Sequence, residues 1–117
     1  MLPTGEVAPL AGTPYDFSHG RPLGELYLDD CFVQLTGDTA EVVDPAAGFG
    51  LRIGAKAPPV KAFQVYAPPD KGFVVVEPQY NWADPFSPVW EDADTGMAVL
   101  RPGERTTYSA RVELFTP

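Results

Sequence analysis

Short runs of hydrophobic residues alternate along this chain with clusters of proline, glycine and aspartate. The runs recur at intervals of roughly 8–12 residues, which is typical of an all-β sandwich or barrel. No stretch keeps the period of about 3.6 residues that marks an amphipathic helix. The pattern therefore predicts an all-β fold in which proline and glycine make the turns.

The segments that fit strands are rich in β-branched and aromatic residues or alternate with a two-residue period. They are residues 31–35, 40–44, 49–53, 62–66, 73–76, 97–100 and 106–115. The second and third are predicted to pair as a hairpin around residues 45–48. In the last segment, Val112 and Leu114 lie on the apolar side of the alternation. Residues 1–28 and 85–95 are predicted to be loops.

The run 73–76 is the most apolar of these segments and is predicted to be a core strand that is buried on both faces. Glu77 follows it directly. Side chains alternate along a strand, so Phe73, Val75, Glu77 and Gln79 are predicted to share one face. Apolar neighbours would desolvate the Glu77 carboxylate and raise its pKa toward the range useful for proton transfer. The alternative is a glutamate at the rim that caps a loop or pairs with a lysine.

Composition limits the classes of function. A chain of 117 residues is the size of one ordinary domain. A formal net charge of −8 repels phosphate backbones and anionic lipid headgroups, so neither nucleic acid nor a membrane surface is an expected partner. One cysteine cannot form an internal disulfide, and no targeting signal or membrane span is recognised, so we expect a cytoplasmic protein. One histidine and one cysteine do not give metal-ligand spacing, and we expect no metal.

Three clusters could bind a ligand. Asp29 and Asp30 lie where a loop enters a strand, and alternation turns only one of them toward a given cleft; both could instead hydrogen-bond turn amides. Gln64 is on the polar side of its strand with Tyr66, where both could simply be solvated. Glu77 precedes amides and aromatic rings at 79–82, a mixture that suits a sugar. For the two tryptophans, packing is the alternative, and His19 is predicted to be exposed.

The order of several motifs resembles the C-terminal part of the aldose 1-epimerase, or galactose mutarotase, family. The motifs are P-T-G-E at 3–6, G-T-P-Y-D-F at 12–17, R-P-L-G at 21–24, L-D-D-C-F at 28–32, F-Q-V-Y at 63–66, V-E-P-Q-Y-N-W-A-D at 76–84, and D-T-G-M at 94–97 with L-R-P-G-E at 100–104. The resemblance implies an antiparallel β-sandwich of the galactose mutarotase type, with residues 1–117 as a single β domain that corresponds to the family's C-terminal half.

The same resemblance implies interconversion of the α and β anomers of a free aldohexose such as glucose or galactose, with no cofactor. Glu77 takes the place of the general base, and Asp29 and Gln64 take the places of residues that hold sugar hydroxyls. The family supplies its acid, a histidine, from its N-terminal half, and His19 does not match that position. We therefore expect a fragment or subunit that self-associates or binds a separate N-terminal half. The alternatives are a non-catalytic sugar-binding domain and, less favoured, a glycoside hydrolase built on Glu77 and Asp29.

Overall fold

The protein is all-β, as the sequence predicts. The computed structural model describes residues 2–55 and 58–117. The strands are β1 (Leu28–Val33), β2 (Thr39–Asp44), β3 (Phe49–Gly54), β4 (Ala62–Ala67), β5 (Val75–Gln79) and β6 (Arg111–Phe115). They form two antiparallel sheets, one in the order β1-β4-β5 and the other in the order β2-β3-β6. None of the described segments is a helix of the length and apolarity needed to cross a bilayer.

The segment before β1, described from residue 2 onward, contains turns but no strand, which agrees with the predicted loop. Its turns are held locally; the amide of Thr13, for example, donates to the carbonyl of Leu10 at 2.9 Å. Phe17 anchors the segment to the first sheet, because its ring meets the Phe32 ring edge-on with centroids 6.0 Å apart. An ordered coil therefore lies beside the first sheet.

The predicted hairpin between residues 40–44 and 49–53 is confirmed as β2 and β3. Asp44 closes its turn, since one carboxylate oxygen accepts hydrogen bonds from the amides of Ala46 and Ala47, each at 3.0 Å. Gly48 follows with φ 71, a conformation that glycine adopts without steric cost. The proline, glycine and aspartate that punctuate the sequence here thus have the roles expected of them.

The second sheet has one charged face and one apolar face. On the charged face, Arg52 lies between Glu41 and Glu113, at 2.7 and 3.8 Å, and its guanidinium is 5.0 Å from the centre of the Phe115 ring. The register places the following apolar side chains on the other face: Ala40, Val42, Leu51, Ile53, Val112 and Leu114. Of these, Val112 and Leu114 are 65% and 69% exposed. The β6 part of the apolar face is therefore open to solvent.

The core lies where the two sheets approach each other, chiefly at β3 and β5. Its buried residues are Ala55, Val60 and Phe63, and the partly buried residues packed on them are Leu35, Ala40, Val65, Val76 and Tyr80. Phe63 and Val65 project from the side of β4 that the sequence pattern predicted to be apolar. The shared core is small, because the sheets overlap over only part of their length.

Strand β1 begins three residues earlier than predicted and ends at Val33 rather than at residue 35. Gln34 has φ 53, in the left-handed region, and this conformation cannot continue a strand. The early start puts Asp29 and Asp30 inside the strand instead of in the loop before it.

Two predictions near the C-terminus are wrong in whole or in part. Residues 97–100 form no strand, and Val99 is 87% exposed. Within 106–115, only β6 is a strand, and it begins at Arg111 because its neighbour β3 ends at Gly54, the residue opposite. Alternation can favour an extended backbone, but a strand also needs a partner to pair with.

The prediction of a doubly buried strand at residues 73–76 is also wrong. The strand in this region is β5, which starts at Val75 and lies at the edge of its sheet. Phe73 is 50% exposed and Val75 is 36% exposed. Proline at position 78 agrees with an edge position, because a proline has no N–H to donate and at an edge no second neighbouring strand requires one. Only Val74 and Val76, on the other face, are partly buried.

Candidate functional site

One face of the first sheet carries all three residues that the sequence singled out. The register sets Gln64 on β4 opposite Glu77 on β5 and Cys31 on β1, and it sets Asp29 opposite Tyr66. Directly opposed residues of antiparallel strands project to the same side. We call this side the site face.

Asp29 and Gln64 contact each other directly. The amide nitrogen Nε2 of Gln64 donates a hydrogen bond to Oδ1 of Asp29 at 3.1 Å, and both side chains are half-buried. A carboxylate has more acceptor capacity than one amide can use, and the Gln64 carbonyl oxygen is a further acceptor. The pair is therefore fixed in orientation and can still accept hydrogen bonds from hydroxyl groups.

Asp30 lies on the opposite side of β1 and has a different partner. Its Oδ2 accepts a hydrogen bond from the backbone amide of Asp29 at 3.1 Å. This contact matches the alternative that we gave for the acidic pair, a carboxylate bonded to a local amide. The two neighbouring acids thus divide into one that faces Gln64 and one that supports the strand.

Glu77 is on the site face, one strand across from Gln64, but it is exposed. The desolvation that the sequence predicted is absent, because Val75 beside it is also exposed and Glu77 lies on an edge strand. A carboxylate in this position is within reach of a molecule bound over Gln64. Its surroundings in this chain are aqueous, and any apolar cover must come from whatever binds there.

A cleft of about 910 Å³ opens over the β1 side of the site face, within the range typical of small-molecule sites. From the site face it is lined by Asp29, Cys31, Gln64 and Gln79, and Asp30 lines it from the other side of β1. The coil at residues 2–15 forms its other wall. Glu77 lies outside this lining. The cleft therefore contains the Asp29–Gln64 pair, with Glu77 beyond its edge.

The coil wall is held against the loop that follows β5. Gly5 has φ 88, and a Cβ atom at this position would lie 2.6 Å from the carbonyl oxygen of Val89, so the backbones approach more closely than any other residue would allow. A short 3-10 helix, Pro88–Trp90, lies in this loop, and its last residue, Trp90, lines the cleft. Its indole nitrogen donates to the carbonyls of Ala83 and Asp84 at 3.0 and 3.1 Å.

Sequence reasoning selected Gln79 together with Glu77, but it did not assign Cys31 or the coil to the cleft. For Cys31 a signal was available, since it lies two residues after Asp29 and shares its side of the strand. Burial raises the pKa of the Cys31 thiol, while a backbone hydrogen bond with Ala83 acts in the opposite direction. The thiol is therefore a neutral group at physiological pH. Nothing in the local sequence indicated that the coil would fold over β1.

The polar and aromatic residues after Glu77 do not converge on it. Tyr80 donates from its hydroxyl to the carbonyl of Ser109, and its ring lies 4.4 Å from the Tyr108 ring. Asn81 donates to the carbonyl of Trp82 at 2.9 Å. The Trp82 side chain is buried and packs edge-on against Trp90 at 5.1 Å. Packing, the alternative given for the tryptophans, is what the structure shows.

His19 is exposed in the coil before β1, as predicted, and does not line the cleft. Asp16, next to it, has its pKa lowered mainly by hydrogen bonds from the Ser18 side chain and amide. Within residues 2–55 and 58–117, no three histidine, cysteine or acidic residues lie close enough together to hold a metal ion.

Comparison with known families identifies the class of protein. The model of the family described as aldose 1-epimerase matches residues 1–113, almost the whole chain. The chain belongs to the aldose 1-epimerase family. Membership confirms the resemblance seen in the motifs, and the two antiparallel sheets agree with a β-sandwich of this family. No curated protein and no solved structure matched the chain.

The aldose 1-epimerase assignment links the chain to carbohydrate chemistry, and to isomerase or epimerase activity in general. It also gives a context for the site face. Asp29, Gln64 and Glu77, the positions that the family motifs indicated, lie on three adjacent strands. The family match does not itself assign roles to these side chains.

Proposed function

We propose that this chain supplies the base-bearing part of an aldose 1-epimerase site for a free aldohexose such as glucose or galactose. The observation that carries the proposal is the Asp29–Gln64 hydrogen bond, with Glu77 opposite Gln64 on the same sheet face. In this proposal the sugar lies over the site face. The Asp29–Gln64 pair positions its hydroxyls, and Glu77 is the base.

The reaction needs two proton transfers. Glu77 takes the proton of the hydroxyl on C1 while an acid protonates the ring oxygen, and the C1–O5 bond breaks to give the open-chain aldehyde. Rotation about C1–C2 and reclosure, with the protons returned, give the other anomer. Among the described residues that line the cleft there is no histidine to serve as the acid. We infer that the acid comes from a second chain or a further segment, and that residues 1–117 correspond to the C-terminal part of the complete site.

A second function is favoured by the same observation. With Glu77 exposed and His19 away from the cleft, the described part of the chain has the groups for holding a sugar but places no histidine where it could protonate the ring oxygen. A non-catalytic sugar-binding domain fits this arrangement. The two functions share the roles of Asp29 and Gln64 and differ only in whether Glu77 transfers a proton.

Glu77→Gln separates them. The substitution keeps the size of the side chain and removes the base, so the rate of anomer interconversion is expected to fall by about 10²–10⁴-fold if Glu77 is the base. Polarimetry on freshly dissolved α-glucose and α-galactose measures the rate, and calorimetric titration with the same sugars measures binding.

Glu104→Gln, an exposed glutamate in a distant turn, is the matched control and should leave the rate unchanged. A Glu77→Gln variant as fast as the parent rules out the base assignment. Because the proposed acid comes from a second chain or a further segment, the rate is measured with that partner present, and a complex that binds sugar without accelerating interconversion supports the binding domain instead. Release of an aglycone from an aryl glycoside would indicate a glycosidase.

A further inference from the structure

The outer edge of β6 is open to solvent. β6 is the last strand of the order β2-β3-β6, and Arg111, Val112 and Leu114 on it are exposed. The strand contains no proline, and it pairs with β3 residue by residue without a bulge. Proline and bulges are two of the features that keep an edge strand from pairing with another chain. The backbone of β6 can therefore accept a further strand.

The other edges of the two sheets, in the described part of the chain, are less suited to such pairing. β5 contains Pro78, and β1 runs beside the coil at residues 2–15. The charged residues of β2, Glu41 and Asp44, are both acidic, so two copies of β2 offer each other no attractive charge pair. β6 differs from β2 because it carries one charge of each sign, on Arg111 and Glu113.

The sequence before β6 also fits a longer strand. The two-residue alternation runs through residues 106–115, with Ala110 on the apolar side together with Val112 and Leu114. β6 nevertheless begins at Arg111, because Gly54, the residue opposite, is the last of β3. A strand on the outer edge could pair with residues before Arg111 as well. Such a partner would give the unpaired part of the alternation a structural role.

Two copies of β6 can pair antiparallel about a two-fold axis, and the pleat and the charges select the register. Opposed residues must project to the same side, so the axis must lie between two copies of the same residue. An axis at Glu113 sets two glutamates opposite each other, an axis at Arg111 sets two arginines opposite each other, and axes at Ala110 or Leu114 give no charge pair. An axis at Val112 sets Arg111 of each copy opposite Glu113 of the other. This register is favoured, because opposite charges in facing positions stabilise a strand pair and like charges destabilise it.

The same register continues the charged face of the second sheet. Glu41, Arg52 and Glu113 face one another across β2, β3 and β6, and their charges alternate in sign. Arg111 is 81% exposed, and its contact with Glu113 on its own strand is 3.7 Å long. Arg111 of a second copy would extend the row by one strand with the alternation kept. Glu113 would then have a cation on both sides.

The apolar face would continue in the same way. Val112 would lie beside Val112 of the second copy, and Leu114 would lie opposite Ala110. Val112 and Leu114 are largely exposed in the single chain. Placing them next to apolar side chains of the second copy removes part of their surface from water, which is favourable in proportion to the area covered.

We propose that the chain forms a dimer in which the outer edges of two β6 strands pair antiparallel about Val112, giving a continuous sheet in the order β2-β3-β6-β6-β3-β2. The partner is a second copy of this chain, because the charges of β6 are complementary to themselves in this register. The interface uses none of the residues of the site face, so the inference stands apart from the proposed function.

Light scattering coupled to size exclusion tests the dimer, and the parent should have twice the 12.6 kDa mass of one chain. Arg111→Glu and Glu113→Arg each set like charges opposite one another, so each should weaken dimerisation about tenfold. The double variant restores both pairs with the signs exchanged and should dimerise like the parent. Arg105→Glu makes the same charge change as Arg111→Glu at an exposed position outside β6, and as the matched control it should have no effect.

Mixing the two single variants guards against a folding defect. One chain then carries acids at both positions and the other carries arginines, so the mixture should form a heterodimer in which every facing pair is again attractive. A parent that stays at 12.6 kDa would overturn the second copy as the partner, whether or not another polypeptide binds the chain. An Arg111→Glu variant that dimerises like the parent, or a double variant no better than the single ones, would overturn the register.

Cysteine cross-linking checks the register directly. In a Cys31→Ser background, Val112→Cys sets two thiols opposite each other with Cα atoms about 5 Å apart, a separation that a disulfide can span. Leu114→Cys is the control, because its two copies would be roughly 14 Å apart. After oxidation, the Val112→Cys chain should run as a covalent dimer on a non-reducing gel and the Leu114→Cys chain as a monomer. Cross-linking of Leu114→Cys alone, or of neither variant, would contradict an axis at Val112.

Discussion

At the scale of single residues, Asp29 and Asp30 show how one step along a strand separates two chemically identical groups. Asp29 accepts from the Gln64 side chain, and Asp30 accepts from a backbone amide on the other side of β1. The first contact orients a group that a ligand can use. The second contact gives a hydrogen-bond acceptor to a backbone amide of β1, which is an edge strand.

This division leads to a prediction for paired substitutions. Asp29→Ala should weaken galactose binding by about five- to hundredfold, because a lost partner in a half-buried hydrogen-bond network costs about 1–3 kcal/mol. Asp30→Ala should lower the melting temperature, since it removes the acceptor of the Asp29 amide, with a smaller effect on affinity. Calorimetric titration and thermal unfolding of the same two variants give both quantities. A loss at Asp30 alone would show that Asp30 rather than Asp29 faces the sugar, and equal losses would contradict the division between the two.

At the scale of elements, Gly54 fixes the end of β3. A Cβ atom there would lie 2.1 Å from the carbonyl oxygen of Asp38 and 2.9 Å from the Thr39 methyl group, and neither the backbone nor the paired strand can move aside cheaply. The closeness of these strands explains why no larger residue stands at this point of the hairpin.

Gly54→Ala is therefore expected to destabilise the fold by about 1–3 kcal/mol, the usual cost of overpacking a fitted site. Gly37→Ala is the matched control, because nothing lies within 4 Å of its Cβ position and its φ is not positive. Urea unfolding of both variants measures the difference. Comparable midpoints for the two would mean that the hairpin tolerates the methyl group by shifting its backbone.

The elements also show which features the sequence could predict. The β2–β3 hairpin could be predicted, because the alternation of its strands and the turn residues Asp44 and Gly48 all act within a few residues of one another. The edge position of β5 could not be predicted from the sequence. An apolar run such as 73–76 indicates that its side chains favour apolar contacts, but it does not indicate whether another strand will cover it. The same difference between local and distant contacts applies to the candidate site. Alternation placed Glu77 and Gln79 on one side, but the fold of the coil over Cys31 depends on distant contacts such as Gly5 against Val89.

At the scale of the whole molecule, the chain exposes more surface than its mass accounts for. Its accessible surface is 8399 Å², whereas a folded monomer of 12.6 kDa is expected to expose roughly 6,200 Å². Its radius of gyration is 15.6 Å, against about 13 Å for a compact domain of this length. Its exposed large hydrophobic side chains include Val112 and Leu114 on the β6 part of the second sheet.

We therefore predict that the purified chain self-associates, or stays monomeric only when a second polypeptide covers its open faces. Burying apolar surface is favourable in proportion to the area covered, and among the paired residues on the apolar face of the second sheet the charged side chain is Asp44, at the turn end of the hairpin. Light scattering coupled to size exclusion should give a mass above 12.6 kDa. A single species of that mass, with a cooperative melt that does not depend on concentration, would contradict the prediction.

The small contact between the two sheets has a consequence for how the chain unfolds. Each sheet is held within itself by a ladder of hydrogen bonds, while in the described part of the chain the sheets meet mainly at the cluster around Ala55, Val60 and Phe63. When the link between two cooperative units is weaker than the units themselves, one can open while the other persists. Amide exchange in the sheet that carries Asp29, Gln64 and Glu77 would then follow its own opening equilibrium, and a sugar bound there would slow exchange in β1, β4 and β5 without protecting β2, β3 and β6.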